Sequence, residues 1–404
     1  MHIVFADEID APFIESLEND GHRCNVLHVS AAQGLDQLIG DADVLVVRST
    51  PVTRLTIEAA AHLGLIVRAG AGTDTIDTQA ASENGVYVCN VPGQNAAAVA
   101  ELTMGLLLAV DRNIPASTAD LHNGKWAKSE YSAARGLKGR TMAILGLGEI
   151  GLAVAERATA FGIKVRALSR SERASGLLDR INRLNIDFFD DVKTLVNGAD
   201  IISLHLPLTD RTRNIVDDHF LNQMSHGAIL LNTARGGLID EAALLKAMET
   251  KAIRVGLDVY EEEPSTPVGD WDSSFVEHPN IAGTHHIGGS TQQAREAVAS
   301  GVVRVIKAYV EGRMLNCVNL ADRPLGACTL KVTHRDEVGA LAAALACLRG
   351  AGINVQQMQN EIFAGISPTA AVATIRASRP PTAETVTDLR QLKSVIRVEV
   401  AEQA

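Results

Sequence analysis

Hydrophobic residues along the chain fall into short unbroken runs separated by stretches of helical spacing. His2–Ala6, Val44–Val47, Leu65–Arg68 and Val86–Asn90 are runs of the first kind. Apolar runs without alternation predict strands covered on both faces, the mark of a parallel sheet. Ala11–Asn19 and the segment from about Thr56 have helical spacing, and Ser49-Thr50-Pro51 and Gly70–Asp74 supply turns.

Asn95–Arg112 predicts one long Ala/Leu-rich helix without an internal breaker. A second array follows, with strands expected at Thr141–Leu145, Lys164–Leu168, Ile201–His205, Ala228–Asn232 and Arg254–Val259, closed by a helix at Thr291–Glu311. This alternation predicts doubly wound sheets. Beyond Arg313 the order changes. Cys328–His334, Val338–Arg349, Asn354–Phe363, Thr369–Ala377, Ala383–Leu392 and Val395–Val400 read as strand, helix, strand, strand, helix, strand, the split βαβ order of a ferredoxin-like module. Asn316–Gly326 reads as the linker before it. The predicted fold class is α/β: two Rossmann- or flavodoxin-like doubly wound parallel-sheet domains, followed by a ferredoxin-like α+β domain.

Composition sets limits on this picture. At 404 residues, 46% of them hydrophobic and 21% charged, the chain is globular in type and too long for one ordinary core. Aromatic residues make up 3%, so aliphatic side chains must fill the cores. A net charge of −11 without a basic run argues against nucleic acid and anionic membranes as partners. The most apolar stretch, Leu102–Val110, is too short to span a bilayer, and the N-terminus opens on a strand rather than a leader. The cysteines form no CxxC pair or Cys/His cluster, so no metal site is expected and reduced thiols in a cytoplasmic protein are.

The strongest chemical signal is Gly146-Leu147-Gly148-Glu149-Ile150-Gly151, lying between a strand and a helix. In that context the glycines form a dinucleotide turn. Gly146 permits the tight turn, Gly148 lets the backbone approach a pyrophosphate, and Gly151 lets the helix pack on the strand. The helix N-terminus attracts the phosphates. Ile150, Val154, Ala158 and Phe161 give the helix an apolar face. NAD or NADP is therefore the expected cofactor. The following strand ends in Ser169-Arg170 with no carboxylate where one usually holds the adenosine ribose. Serine and arginine there suit a 2′-phosphate, so NADP is expected to be accepted; the alternative is an Arg170 that stacks on adenine or faces solvent.

Three further segments follow strands of the second array. Asn232–Asp240 carries Arg235 in a Gly-rich turn, Gly256–Pro264 ends in a run of acids, and His285-His286 precedes a helix start. An Arg, an acid and a His beside a nicotinamide suit hydride transfer on a 2-hydroxy or 2-oxo acid. The Arg pairs with the carboxylate and polarises the carbonyl. The His moves the hydroxyl proton, and the acid orients the imidazole and favours its charged form.

With these segments in view, the chain resembles the D-isomer-specific 2-hydroxyacid dehydrogenases over nearly its whole length, and within them the phosphoglycerate dehydrogenases of serine synthesis. Arg68–Asp74, Ala100–Thr103, the glycine turn, Thr233–Gly237 and His286–Thr291 carry the likeness. The resemblance implies Arg235, Glu263 and His286 as catalytic residues, with Thr233, Ala234, Arg235, Asp258, His286, Gly288 and Gly289 lining the cofactor. It also implies a discontinuous substrate domain (1–96 and 290–318) around a dinucleotide domain (97–289). Gly70, Ala71 and Gly72 would offer backbone N–H groups to the substrate carboxylate. Arg48, Asn95 and Lys128 would contact substrate, with Thr50 standing where some relatives have a second Arg.

Residues 325–404 resemble an ACT domain, with His334, Asp336 and Asn354 at positions of a serine-binding set. That likeness implies self-pairing and an L-serine effector, and the family implies a homodimer through Asn95–Arg112, extended to a tetramer by the module. Oxidation of 3-phospho-D-glycerate to 3-phosphohydroxypyruvate is the leading activity. An NADPH-dependent glyoxylate or hydroxypyruvate reductase and a non-enzymatic cofactor sensor are the alternatives.

Overall fold

The computed structural model describes residues 1–27, 34–170, 175–264, 268–275, 278–321, 326–365 and 369–402. It divides into two compact units, Met1–Asn319 and Leu320–Ala404.

The first unit holds two parallel sheets. Strands β1 (His2–Phe5), β2 (Arg23–Val26), β3 (Val44–Val47), β4 (Leu65–Arg68) and β5 (Tyr87–Asn90) run in the order β2-β1-β3-β4-β5. Central β3 is buried on both faces, as its unbroken apolar run requires. The helix Gln292–Val310 covers one face, where Val302, Val305 and Ile306 pack against Ile3, Phe5 and Val67. The chain then runs along the edge of β5. Cys317 bridges Cys89 antiparallel, and Val318 N–H donates to the Val88 carbonyl at 2.8 Å. The linker expected from Asn316 therefore starts only after Asn319, because these residues satisfy an otherwise open sheet edge.

The second sheet contains β6 (Thr141–Leu145), β7 (Lys164–Leu168), β8 (Ile186–Phe189), β9 (Ile201–Leu204), β10 (Ile229–Asn232), β11 (Arg254–Leu257) and β12 (Ile281–Gly283). Their order is β12-β11-β10-β9-β6-β7-β8, which reverses direction between β6 and β9. The helix Ala96–Arg112 packs Ala100, Met104 and Leu107 onto Met142, Ile144 and Leu231. Where it ends, a buried Asp111–Arg140 pair at 2.8 Å ties it to the start of β6. The helix Glu149–Ala160 buries Leu152, Val154 and Ala158. Phe161, expected on that face, is instead the helix cap and 43% exposed, because the chain turns away at Gly162.

The second unit is an antiparallel sheet of β13 (Cys328–Arg335), β14 (Val355–Ile362), β15 (Ala370–Ala377) and β16 (Val395–Glu402) in the order β14-β15-β13-β16. Alternate residues Cys328, Leu330 and Val332 enter its core with Ala344 and Leu348 of the helix Ala340–Gly350 and Leu389 of the helix Ala383–Gln391. The first of these helices begins after Gly339 rather than at Val338. Gly339 takes a left-handed conformation at the cap and leaves Val338 in solvent. Among the described residues no helix is long and apolar enough to cross a membrane, and no cluster of His, Cys, Asp or Glu could hold a metal. No disulfide joins any of the five cysteines.

Candidate active site

The glycine turn sits at the C-terminal ends of β6 and β9, where the strand order reverses and open sheets leave a crevice. Gly146 has φ +97°, and a Cβ there would overlap the His205 carbonyl. A Cβ on Gly151 would overlap the Gly146 carbonyl, so the helix rests directly on the turn. Gly148 differs: nothing lies within 4 Å of a Cβ built on it. It caps a 12-residue helix without a side-chain cap, so the first N–H groups face open space. This cradle fits a dinucleotide pyrophosphate. The Glu149 side chain turns aside to pair with Arg180 at 2.8 Å, and Ile150 packs partly buried against the core, which leaves their backbone for the turn. Ser169 and Arg170 stand exposed beyond β7, with Ser169 N–H on the Phe189 carbonyl.

Across the crevice the catalytic candidates converge. His286 Nδ1–H donates to Glu263 Oε2 at 2.7 Å, while Glu263 Oε1 accepts the Tyr260 N–H at 3.0 Å. Burial pushes the Glu263 carboxyl up, but the bonds from His286 and Tyr260 and the nearby Arg235 outweigh it and hold it below its ordinary value. Of the neighbouring acids, Glu261 pairs with Arg213. His285 is exposed.

His286 sits at φ +52°, a conformation costly for a residue with a Cβ. Asp258 enforces it. Its carbonyl accepts the His286 N–H at 2.7 Å, and its carboxylate accepts Thr284 Oγ1 and the N–H groups of Ile287 and Gly288. The carboxylate expected to face a nicotinamide is thus 1% exposed and engaged with the loop. Thr233 is engaged as well. Thr103 donates its hydroxyl to the Val99 carbonyl, so Thr233 donates to Thr103 at 2.8 Å and turns from the crevice.

Arg235 is held at three points. Nη1 donates to the Ala234 carbonyl at 2.7 Å, and Nε and Nη2 donate to the two oxygens of Asp74, each at 3.2 Å. Fully buried Asn232 staples the turn, taking the Ala234 N–H and donating to the Arg235 carbonyl. A polar residue closing an apolar strand was the sequence signal for Asn232. No local signal marks Asp74, which is 161 positions from Arg235.

The expected substrate residues are partly brought together. The Gly70 N–H is already donated to the Arg68 carbonyl, so the anion-binding pair reduces to the N–H groups of Ala71 and Gly72. Arg68 lies largely buried under Gly70, with Nε unpartnered. Burial, aided by the Arg235 charge, lowers its pKa against the pull of Asp74. Arg48 reaches Ser290 Oγ at 3.3 Å, and Asp7 fixes its loop by accepting the N–H groups of Arg48, Ser49 and Thr50. Asn95 buries an unpartnered Oδ1 beside Gly289. Lys128 is exposed, and among the described residues no side-chain contact ties it to this cluster.

In the second unit His334 is buried, with Nε2 3.1 Å from Asn360 Oδ1. Asp336 N–H bonds to the Thr369 carbonyl, and Asn354 N–H bonds to Ser378 Oγ. These contacts bracket β15, so Asp336 and Asn354 stand at opposite ends of the sheet, about 30 Å apart along the strand. One copy of the module does not bring them together.

Known proteins resemble this arrangement. The profile of the "D-isomer specific 2-hydroxyacid dehydrogenase, NAD binding domain" matches residues 104–288. The D-3-phosphoglycerate dehydrogenase of Methanocaldococcus jannaschii is 40% identical over 333 residues, covering 80% of this chain and 60% of that one. The chain thus spans less than two thirds of that relative's length. The hydroxypyruvate reductase of Thermotoga maritima is 42% identical over 279 residues, 69% of this chain and 87% of that one. A glyoxylate reductase structure from Paecilomyes thermophila superposes with a TM-score of 0.69 at 26% identity, covering 79% of this chain and 98% of that one.

Proposed function

The chain belongs to the D-isomer-specific 2-hydroxyacid dehydrogenases, and we propose that it oxidises 3-phospho-D-glycerate to 3-phosphohydroxypyruvate with NAD or NADP. The observation that carries the reading is the His286–Glu263 pair beside Arg235, on the same crevice as the open Gly148 helix terminus. When bound, the dinucleotide supplies the hydride acceptor.

The residues of the chain supply the remainder. Glu263 engages Nδ1 of His286, which leaves Nε2 to take the hydroxyl proton of the substrate. An ionised Glu263 stabilises the imidazolium so formed. Arg235 and the N–H groups of Ala71 and Gly72 bind the carboxylate, and Arg235 stabilises charge that develops on the carbonyl oxygen. Arg48, Asn95 and Lys128 are assigned to the substrate, and half-buried Arg68 joins Arg48 as a cation for the phosphate. Thr233, Ala234, Asp258, Gly288 and Gly289 line the nicotinamide end, the first and third by positioning the loops. The relative from Methanocaldococcus jannaschii, named a D-3-phosphoglycerate dehydrogenase, supports this substrate.

A second reading is reduction of glyoxylate or hydroxypyruvate with NADPH. The absence of a carboxylate at Ser169-Arg170 favours it, as does the Thermotoga maritima relative. An activity panel over both substrate sets separates the two. The intact trio of Arg235, Glu263 and His286 counts against a purely cofactor-sensing role.

For residues 325–404 the reading is an ACT-like regulatory module. The βαββαβ order supports it. The separation of Asp336 from Asn354 favours a serine site shared between two copies, with His334 and Asp336 from one and Asn354 from the other. The family's pairing through Asn95–Arg112 would give a homodimer, which pairing of this module would extend to a tetramer. Cysteines without disulfides suit a reducing compartment such as the cytoplasm.

A further inference from the structure

Two guanidinium groups, Arg68 and Arg235, stand close enough at the crevice for each to feel the other's charge. Like charges in a partly buried pocket repel, and a flexible arginine would swing away unless held. Asp74 is the acid that meets Arg235 there. Its carboxylate receives both Nε and Nη2 of Arg235 in side-on fashion, the geometry in which an arginine is most firmly oriented. Gly72, two positions earlier in the same loop, lies so close to Nη2 that a Cβ there would overlap it. The loop after β4 is thus shaped around the guanidinium of a residue from the other sheet.

Donor accounting shows what this leaves. A guanidinium has five N–H groups. Asp74 takes one from Nε and one from Nη2, and the Ala234 carbonyl takes one from Nη1. One N–H each on Nη1 and Nη2 remains among the described contacts, and with Asp74 on the Nε side the one on Nη2 lies on the outer Nη1/Nη2 edge of the group. That edge is the bidentate donor a carboxylate or a developing oxyanion requires.

We propose that Asp74 is the positioning residue of the reaction: it clamps Arg235 side-on so that the Nη1/Nη2 edge faces the reacting carbonyl. The inference rests on the reading of Arg235 as the substrate-binding arginine. It carries a kinetic signature. Removing Asp74 removes a negative charge beside an anionic substrate, so ground-state attraction does not weaken. Orientation of Arg235, which matters most as charge develops on the carbonyl oxygen, is lost. The predicted outcome is a fall in kcat without a rise in KM for the acid.

The test is steady-state kinetics of the full chain with Asp74→Ala and Asp74→Asn, on the best substrate of the wild-type protein. For Asp74→Ala we expect kcat to fall about tenfold or more, KM for the acid to stay level or drop, and KM for the dinucleotide and Tm to stay level. Asp74→Asn, which keeps one acceptor, should fall between Asp74→Ala and wild type. A kcat within about twofold of wild type overturns the proposal. So does a fall in kcat accompanied by a lower Tm or a raised KM for the dinucleotide, which indicates a structural role. If the wild-type chain turns over no 2-hydroxy or 2-oxo acid, the dehydrogenase reading itself fails and the proposal with it.

Discussion

Glu263 Oε2 and His286 Nδ1 stand 2.7 Å apart, joined from two loops at the C-terminal edge of one sheet. Because Glu263 stays ionised below its ordinary range, it favours the proton of the imidazole on Nδ1, which leaves Nε2 for the substrate in the proposed reaction. Asp258 holds the loop that presents His286 in its left-handed turn through four hydrogen bonds.

Glu263→Gln should therefore lower kcat about 10²–10⁴-fold, the range for losing general acid–base assistance, while dinucleotide affinity stays near wild type. The pH profile carries a sign. A depressed carboxyl pKa means the pair is present above the ordinary carboxylate range and is lost as pH falls through the depressed value. Glu263 thus contributes an acid limb that lies below the ordinary range and is missing from Glu263→Gln. Rates measured from about pH 3 upward, through and below the ordinary carboxylate range, check this; an unchanged profile in the variant would remove Glu263 from the mechanism.

The two outer glycines of the turn should respond differently from the middle one. Gly148→Val adds atoms to open space and should fold normally, yet block the pyrophosphate. Dinucleotide titration should show at least about a hundredfold weaker binding, near 2.7 kcal/mol, at unchanged Tm. Gly146→Ala forces a Cβ onto the His205 carbonyl at positive φ and should lower Tm itself. Equal Tm losses in both variants would contradict the assignment of Gly148 to the cofactor.

Arg170→Ala tests the choice of dinucleotide. Where Arg170 holds a 2′-phosphate, kcat/KM with NADPH should fall at least about tenfold, equal to ~1.4 kcal/mol, while the value with NADH holds. Parallel falls with both cofactors would place Arg170 on the adenine instead.

Asp111→Ala should destabilise the first unit by about 3–5 kcal/mol, because it strands the buried Arg140 guanidinium without its counter-ion. Chemical denaturation measures it. A change below ~1 kcal/mol would mean that water replaces the carboxylate.

Much of this architecture is legible in the sequence, for a physical reason. Central strands such as Val44–Val47 and Thr141–Leu145 are buried on both faces and carry unbroken apolar runs. Edge strands β2, β8 and β12 bury too few side chains to leave such a run, and they escape the pattern. The glycine turn and Arg235 are legible because each follows a strand with an apolar run; Glu263 lies further along the loop after β11, and His286, which follows edge strand β12, is legible only from the residues around it. The Asp74–Arg235 and Asp7–Arg48 contacts are not, since they join segments remote in sequence. Nor could sequence alone place Asp258 under the His286 loop or commit the Gly70 N–H to its neighbour; those are outcomes of local backbone geometry.

The most direct test is turnover by the purified chain: 3-phospho-D-glycerate with NAD or NADP, against glyoxylate and hydroxypyruvate with NADH or NADPH. The proposed function predicts the highest kcat/KM for the phosphoglycerate couple and its loss in Arg235→Ala, with dinucleotide binding retained. A higher kcat/KM for glyoxylate or hydroxypyruvate, with no measurable oxidation of 3-phosphoglycerate, would contradict it.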